Sequence, residues 1–146
     1  MNKIFYLIYG APGAGKSTYV ERYVKATYPD LQHYEADMFF YNKLGEYEFN
    51  PRKLGMAHSW CQNMTRLAMK KGLPVCVSNT SLTPEERRPY FELANKYGYK
   101  IYVHRCYGEY ENVHGVPKEK VVQMRKKLRS VSNEEVEMYN IERIEI

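Results

Sequence analysis

Residues 10–17 read Gly-Ala-Pro-Gly-Ala-Gly-Lys-Ser: two glycines bracket four residues and are followed at once by a lysine and a hydroxyl. That spacing suits one chemistry, the cradling of a polyphosphate. Glycines let successive backbone N–H groups converge on an anion, and a helix starting there adds partial positive charge. The lysine then bridges the two outermost phosphates, and the hydroxyl ligates the magnesium ion that travels with them. An average composition produces this pattern by chance on the order of once in two hundred chains of this size. Gly10, Ala11, Pro12, Gly13, Ala14, Gly15, Lys16, Ser17 and Thr18 are therefore assigned to ATP, with Lys16 catalytic and Ser17 the Mg2+ ligand.

A group that accepts a phosphoryl must lose a proton, so a carboxylate is sought next. The chain has only Asp30 and Asp37 as aspartates. Asp30 follows Pro29 in a turn. Asp37 falls at the C-terminal end of an expected strand, the edge at which open α/β sheets hold ligands, and can act as general base toward a hydroxyl. Capping the turn that follows is the other role open to it. Tyrosine is abundant, at 15 residues, and Phe39, Phe40, Tyr41 and Tyr47 lie between Asp37 and the next helix, some expected to line an acceptor platform and about half to face the core. His58 and Trp60 are expected to pack. His114 sits where a loop could bring it to a phosphate or base.

The elements that must position these groups alternate. Strands are expected at 3–9, 32–35, 74–78 and 99–106, and helices at 16–28, 51–71, 84–97 and 117–129. Pro51, Pro84 and Pro117 open three of the helices, and Gly72 and Gly98 close two. Thr83 and Glu86 have capping-box spacing. The tail from Ser132 reads either as a short helix or as a strand over 141–146. Alternation at this spacing specifies a parallel sheet sandwiched by helices, an α/β P-loop NTPase, and no linker divides residues 1–146, so one domain is expected.

Composition narrows the class. A hydrophobic share of 44% and a charged share of 27% suit a soluble folded chain. No run approaches membrane-spanning length, and Cys61, Cys76 and Cys106 form neither a disulfide framework nor a zinc pattern. A cytoplasmic location is expected, in the host cell if the source is viral. The net charge of +5 favours an anionic partner, with Lys118, Lys120, Arg125, Lys126, Lys127 and Arg129 crowded late in the chain.

Several stretches together resemble one family. Residues 10–18, Ala36-Asp37-Met38-Phe39-Phe40, Ser78-Asn-Thr-Ser-Leu-Thr-Pro-Glu-Glu-Arg-Arg88 and Ala94-Asn-Lys-Tyr-Gly-Tyr99 are similar to the kinase domain of bacteriophage polynucleotide kinases. Tyr47-Glu-Phe49, Ala57-His58 and the lid Asn112-Val-His-Gly-Val-Pro117 resemble the short Nedd4-binding-protein-like P-loop kinases. The resemblance spans about residues 3–129. It implies a kinase fold with a helical lid, Asp37 as base, and ATP-dependent transfer of the γ-phosphoryl to a hydroxyl on nucleic acid, DNA or RNA. That hydroxyl is either a 5'-OH or the hydroxymethyl of 5-hydroxymethyluracil in DNA, as in base-directed DNA kinases of phages.

The chain also departs from the pattern. Phe40 stands where the phage enzymes hold the acceptor phosphate with arginine, and suits base stacking instead. Asn79 replaces an aspartate. Glu111 and His114 occupy lid positions that carry arginines, so Arg105, Lys118, Lys120 and Arg125 are the candidate substitutes, with Arg125 and Lys118 preferred and Arg125 assigned as the catalytic cation. Acceptor contacts are accordingly assigned to Phe40, Tyr47, Asn79, His114 and Lys118. A nucleoside or small-metabolite kinase, or an ATP-binding module without catalysis, remain the alternatives. No Asn-Lys-x-Asp run marks a GTPase, and neither a membrane nor an obligate protein partner is indicated.

Overall fold

The computed structural model describes residues 2–81, 83–110 and 115–144. Five strands, β1 (Ile4–Tyr9), β2 (Gln32–Tyr34), β3 (Val75–Asn79), β4 (Lys100–Arg105) and β5 (Ile141–Arg143), form one sheet in the order β2-β3-β1-β4-β5. Every neighbouring pair is parallel, with Phe5 opposite both Val75 and Ile101, and Ile101 opposite Ile141. The interior strands carry near-continuous apolar runs because both of their faces are covered. β3 is buried at all five positions.

Side-chain alternation sends β1 into two cores. Phe5, Leu7 and Tyr9 face one side, joined by Val75, Val77, Ile101 and Val103 and covered by α2 (Leu54–Lys70), α3 (Pro84–Lys96) and α5 (Asn133–Tyr139). Ile8 faces the other, with Cys76 and Cys106, beneath Val20 and Val24 of α1 (residues 16–27). Each fully buried Phe, Leu, Ile or Val contributes about 1.5–3 kcal/mol. The sandwich is thus held from both faces, as the alternation of elements required.

Helix α1 differs from the plain helix expected. Its middle, Val20–Val24, is a π-turn between α-helical Lys16–Tyr19 and Lys25–Thr27. Val20 and Val24 are both buried against the sheet, and the Tyr19 and Tyr23 rings meet at a tilt of 40° with centroids 5.1 Å apart.

The aromatic stretch after Asp37 is also more ordered than a loop. A 3-10 turn, Ala36–Phe40, leads into a small hairpin in which Tyr41 pairs with Tyr47. Its turn is made by the Asn42 side chain, which accepts from the backbone N–H groups of Leu44 and Glu46 at 2.9 and 3.0 Å. A second 3-10 turn, Pro51–Lys53, is capped by Asn50 and feeds α2.

Thr83 sits at the N-cap of α3 with Pro84 first in the helix, yet its hydroxyl makes no capping bond. The capping box is instead at α5, where Ser132 and Glu135 cap each other. The tail from Ser132 is both helix and strand, joined by Asn140 in the left-handed region at φ 52°, which asparagine tolerates. A further tie closes the fold: the Val131 N–H donates to the Tyr9 hydroxyl at 2.9 Å. Helix α4 (Lys118–Lys127) carries the late cations. Among the described residues, no helix is long and apolar enough to cross a membrane.

Candidate active site

The chain leaves β1 at Tyr9 and wraps through residues 10–15 into the start of α1. Gly10 is needed for space, because a Cβ there would lie 2.6 Å from the Cys106 carbonyl oxygen. Gly13 and Gly15 adopt φ of 78° and 95°, where a side chain would be strained. The Lys16 ammonium donates back across the loop to the carbonyls of Gly10 and Ala11, each at 3.0 Å. Burial pushes its pKa down, opposed first by the charge of Glu35 and then by Cys106 and Asp37.

A segment after β4 closes over this loop. Gly108 and Tyr110 donate their N–H groups to the carbonyls of Ala14 and Gly13, at 3.1 and 2.7 Å. Glu109, between them, accepts from Arg125 of α4 at 3.1 Å. The structure therefore ties Arg125 to the cover of the phosphate loop. Lys118 lies exposed at the first turn of the same helix. His114 lies outside the described residues, as does Glu111.

Two regions flank the loop. On the β4–β5 side opens a cleft of about 1110 Å3, lined by Tyr19, Arg22, His104, Arg105, Tyr107 and Arg143 among others, with Gly15 and Thr18 at its rim. Tyr19 stacks on His104 at 4.2 Å, and Arg105 lies over the Tyr107 ring at 4.6 Å. The cleft is wide and aromatic enough for a nucleobase. On the opposite, β2–β3 side lies Asp37, in the 3-10 turn after β2.

Asp37 Oδ1 accepts the Tyr47 hydroxyl at 3.0 Å. Burial, then the Asp37 charge and this hydrogen bond, hold the Tyr47 phenol protonated by raising its pKa, so tyrosine remains the donor. Asn79 faces the back of the same turn: its Oδ1 accepts from the Ala36 N–H at 2.8 Å, and its Nδ2 donates toward the Tyr90 hydroxyl at 3.4 Å. Its amide positions the Asp37 turn, where the sequence had suggested an acceptor contact. Phe40 is likewise turned inward, only 5% exposed, with Tyr47 and Phe49 edge-on against it. Burial of an aromatic ring in this corner outweighs its use as an outward stacking face, and the exposed rings are Tyr41 and Phe49.

Sequence reasoning passed over Glu35. Its Oε1 accepts the hydroxyls of Ser17 and Ser78, both at 2.8 Å, and His33 Nε2 lies 3.5 Å away. Its place at the C-terminal end of β2, two residues before Asp37, was the available signal. The donor set fits Mg2+, which prefers hard oxygens, keeps several waters and leaves other positions to substrate phosphates. Ser17 would ligate it, and Glu35 stands behind Ser17. Among the described residues no three His, Cys, Asp or Glu gather as a metal cage.

The sequence signature described as the AAA domain matches residues 6–113, from β1 through the cover of the phosphate loop. The chain belongs to the AAA domain family of P-loop proteins. Within 131 residues, 83% of the chain, it is 33% identical to human NEDD4-binding protein 2, of which that match spans 7%. The AAA-domain chain therefore corresponds to a small part of that relative. A chain of the Pnkp1/Rnl/Hen1 RNA repair complex superposes with TM-score 0.58 at 19% identity, covering 95% of this chain and 43% of that one. The APS kinase CysC of Mycobacterium tuberculosis superposes with TM-score 0.54 at 15% identity, covering 88% and 99%. The fold is thus a P-loop NTPase fold, shared with these structures.

For an AAA-domain loop packed this closely, Gly10→Ala is expected to add strain of about 1–3 kcal/mol. ATP affinity, read by calorimetry, should fall roughly tenfold.

Proposed function

We propose that the chain transfers the γ-phosphoryl of ATP to a hydroxyl carried by nucleic acid, either a 5'-OH or a hydroxymethyl group on a modified base. The observation that carries this reading is the order of parts along the sheet edge: base cleft, phosphate loop, then Asp37 held by Tyr47. A donor nucleotide laid along the cleft and loop points its last phosphate toward the carboxylate. In the transfer, Asp37 takes the proton of the acceptor hydroxyl, whose oxygen forms the new P–O bond as the bond to the β-phosphate oxygen breaks. Lys16 and Arg125 offset the charge on the moving phosphoryl. Bound Mg2+ supplies further charge neutralisation of the β- and γ-phosphates.

Support for a nucleic-acid acceptor comes from charge and exposed rings. Lys118, Lys120, Lys126, Lys127 and Arg129 present cations along and just beyond α4, and Tyr41 and Phe49 are nearly half exposed beside Asp37. Stacking on such rings is indifferent to base identity and stabilises single strands by about 1–3 kcal/mol per base. The likeness to a chain of an RNA repair complex points the same way. A nucleoside or small-metabolite kinase is the second reading, favoured by the APS kinase likeness, which extends over 99% of that chain.

The test is transfer of label from γ-labelled ATP with Mg2+ to 5'-hydroxyl oligonucleotides, to DNA containing 5-hydroxymethyluracil, and to a nucleoside pool. Labelled oligonucleotide is expected, with acceptor affinity falling steeply as salt rises because phosphate contacts release counterions. Label confined to nucleosides, with little salt dependence, would replace this reading with the second one. ATP binding without transfer to any acceptor would leave a binding module.

A further inference from the structure

The carboxylate of Glu35 joins two hydroxyls and a ring at the site, and the catalytic scheme above does not use it. All three of its close contacts fall on one oxygen, Oε1: the hydroxyls of Ser17 and Ser78 at 2.8 Å and the His33 ring at 3.5 Å. His33 Nε2 in turn hydrogen-bonds the Ser78 hydroxyl. The two ends of this chain differ in surroundings. His33 has a side chain 9% exposed, Glu35 17%, while Ser17 opens α1 at the phosphate loop.

A serine hydroxyl has one proton and two acceptor lone pairs. When it ligates a cation, a lone pair must face the metal and the proton must point elsewhere. Ser17 directs its proton to Glu35. That contact fixes the hydroxyl rotor in the orientation a metal ligand needs. Ser78 donates to the same oxygen, and His33 holds Ser78, so the carboxylate is itself held in place.

We propose that Glu35 is a positioning residue for the divalent cation, holding the Ser17 hydroxyl with its lone pairs toward the metal, with Ser78 and His33 as its support. This rests on the phosphotransferase reading only in requiring a metal–nucleotide complex at the loop, and does not depend on the acceptor. Outer groups of this kind typically change metal affinity by about 10- to 100-fold.

The experiment measures Mn2+ binding, by electron paramagnetic resonance, to protein saturated with a non-hydrolysable ATP analogue. Binding of the same analogue in EDTA is measured by calorimetry. Glu35→Ala is expected to weaken Mn2+ binding by about 10- to 100-fold while the metal-free nucleotide binds as before. Glu35→Gln keeps an acceptor oxygen for Ser17 and should recover part of the loss, and Ser78→Ala should cost less than either. Melting curves identify a variant that has lost its fold, in which case Ser78→Ala carries the test. Equal Mn2+ affinity in wild type and Glu35→Ala would overturn the proposal, as would a parallel loss of metal-bound and metal-free nucleotide. Wild-type protein that bound neither would overturn the phosphotransferase reading as well.

Discussion

Asp37→Asn should leave ATP binding intact and slow phosphoryl transfer by about 10²–10⁴-fold, the usual contribution of a positioned general base. The substitution keeps the shape of the side chain, and its remaining oxygen can still accept the Tyr47 hydroxyl, now seen at 3.0 Å from Oδ1. The Ala36 N–H stays on Asn79, so the turn should survive. What is lost is the ability to take the acceptor's proton. The loss should appear in kcat under single-turnover conditions, with ATP affinity unchanged by calorimetry. A variant that transfers phosphoryl at the wild-type rate would remove Asp37 from the chemistry. Tyr47→Phe separates support from catalysis. A hydrogen bond to a charged group is worth about 1.5–3 kcal/mol, so its removal should cost less than Asp37→Asn.

The largest expected effect on stability lies elsewhere, at a guanidinium with no exposure at all. Arg87 is fully buried. It donates from Nε and Nη2 to the two oxygens of Glu135, at 3.1 and 2.9 Å, and from Nη1 to the carbonyls of Ser81 and Arg129, at 2.9 and 2.7 Å. Its planar group also lies over the Tyr9 ring at 5.5 Å. One side chain thus joins α3, the turn after β3, the chain after α4 and helix α5. Arg87→Leu removes four hydrogen bonds and strands the Glu135 carboxylate, so unfolding free energy from urea titration should fall by about 3–5 kcal/mol. Adding Glu135→Leu should restore part of it, because no uncompensated charge then remains.

The same pair gives stability a pH dependence of known sign. Burial alone would raise the Glu135 carboxyl, but hydrogen bonds from Arg87 and Ser132, with the Arg87 charge, carry it below its ordinary value of 4.5. A carboxyl depressed in the folded state stabilises above its unfolded pKa, and that contribution disappears as pH falls through the folded value. The wild type should therefore lose stability on acidification below about pH 4.5, and the double leucine variant should lose less.

The parts legible in the sequence were those with short-range signals. The phosphate loop is a contiguous pattern, and the sheet follows from apolar runs alternating with Pro- and Gly-punctuated helices. Asp37 was singled out because strand ends hold ligands in such sheets, and it does follow the end of β2. Glu35 was missed because its partners, Ser17 and Ser78, lie 18 and 43 residues away. No spacing rule joins them. Phe40 and Asn79 read as surface contacts because burial at a strand edge is decided by what packs there, here Phe49, Tyr47 and Tyr90. Nothing in the local Glu-Glu-Arg-Arg run marks Arg87 as buried, because its bidentate partner lies 48 residues on. The box spacing of Thr83 and Glu86 was present without the Thr83 cap, while Ser132 and Glu135 had both spacing and bonds.

The contact between Tyr9 and Val131 links positions 122 apart, and this bears on how the protein is made. A ribosome releases the phosphate loop before residue 131, by nearly the whole of that separation. Until that residue emerges, the strand that launches the loop lacks its tie, and joining ends so distant costs roughly 4 kcal/mol of chain entropy beyond a constant. Nucleotide should therefore be held at the loop of a nascent chain only after residue 131 has emerged to join Tyr9.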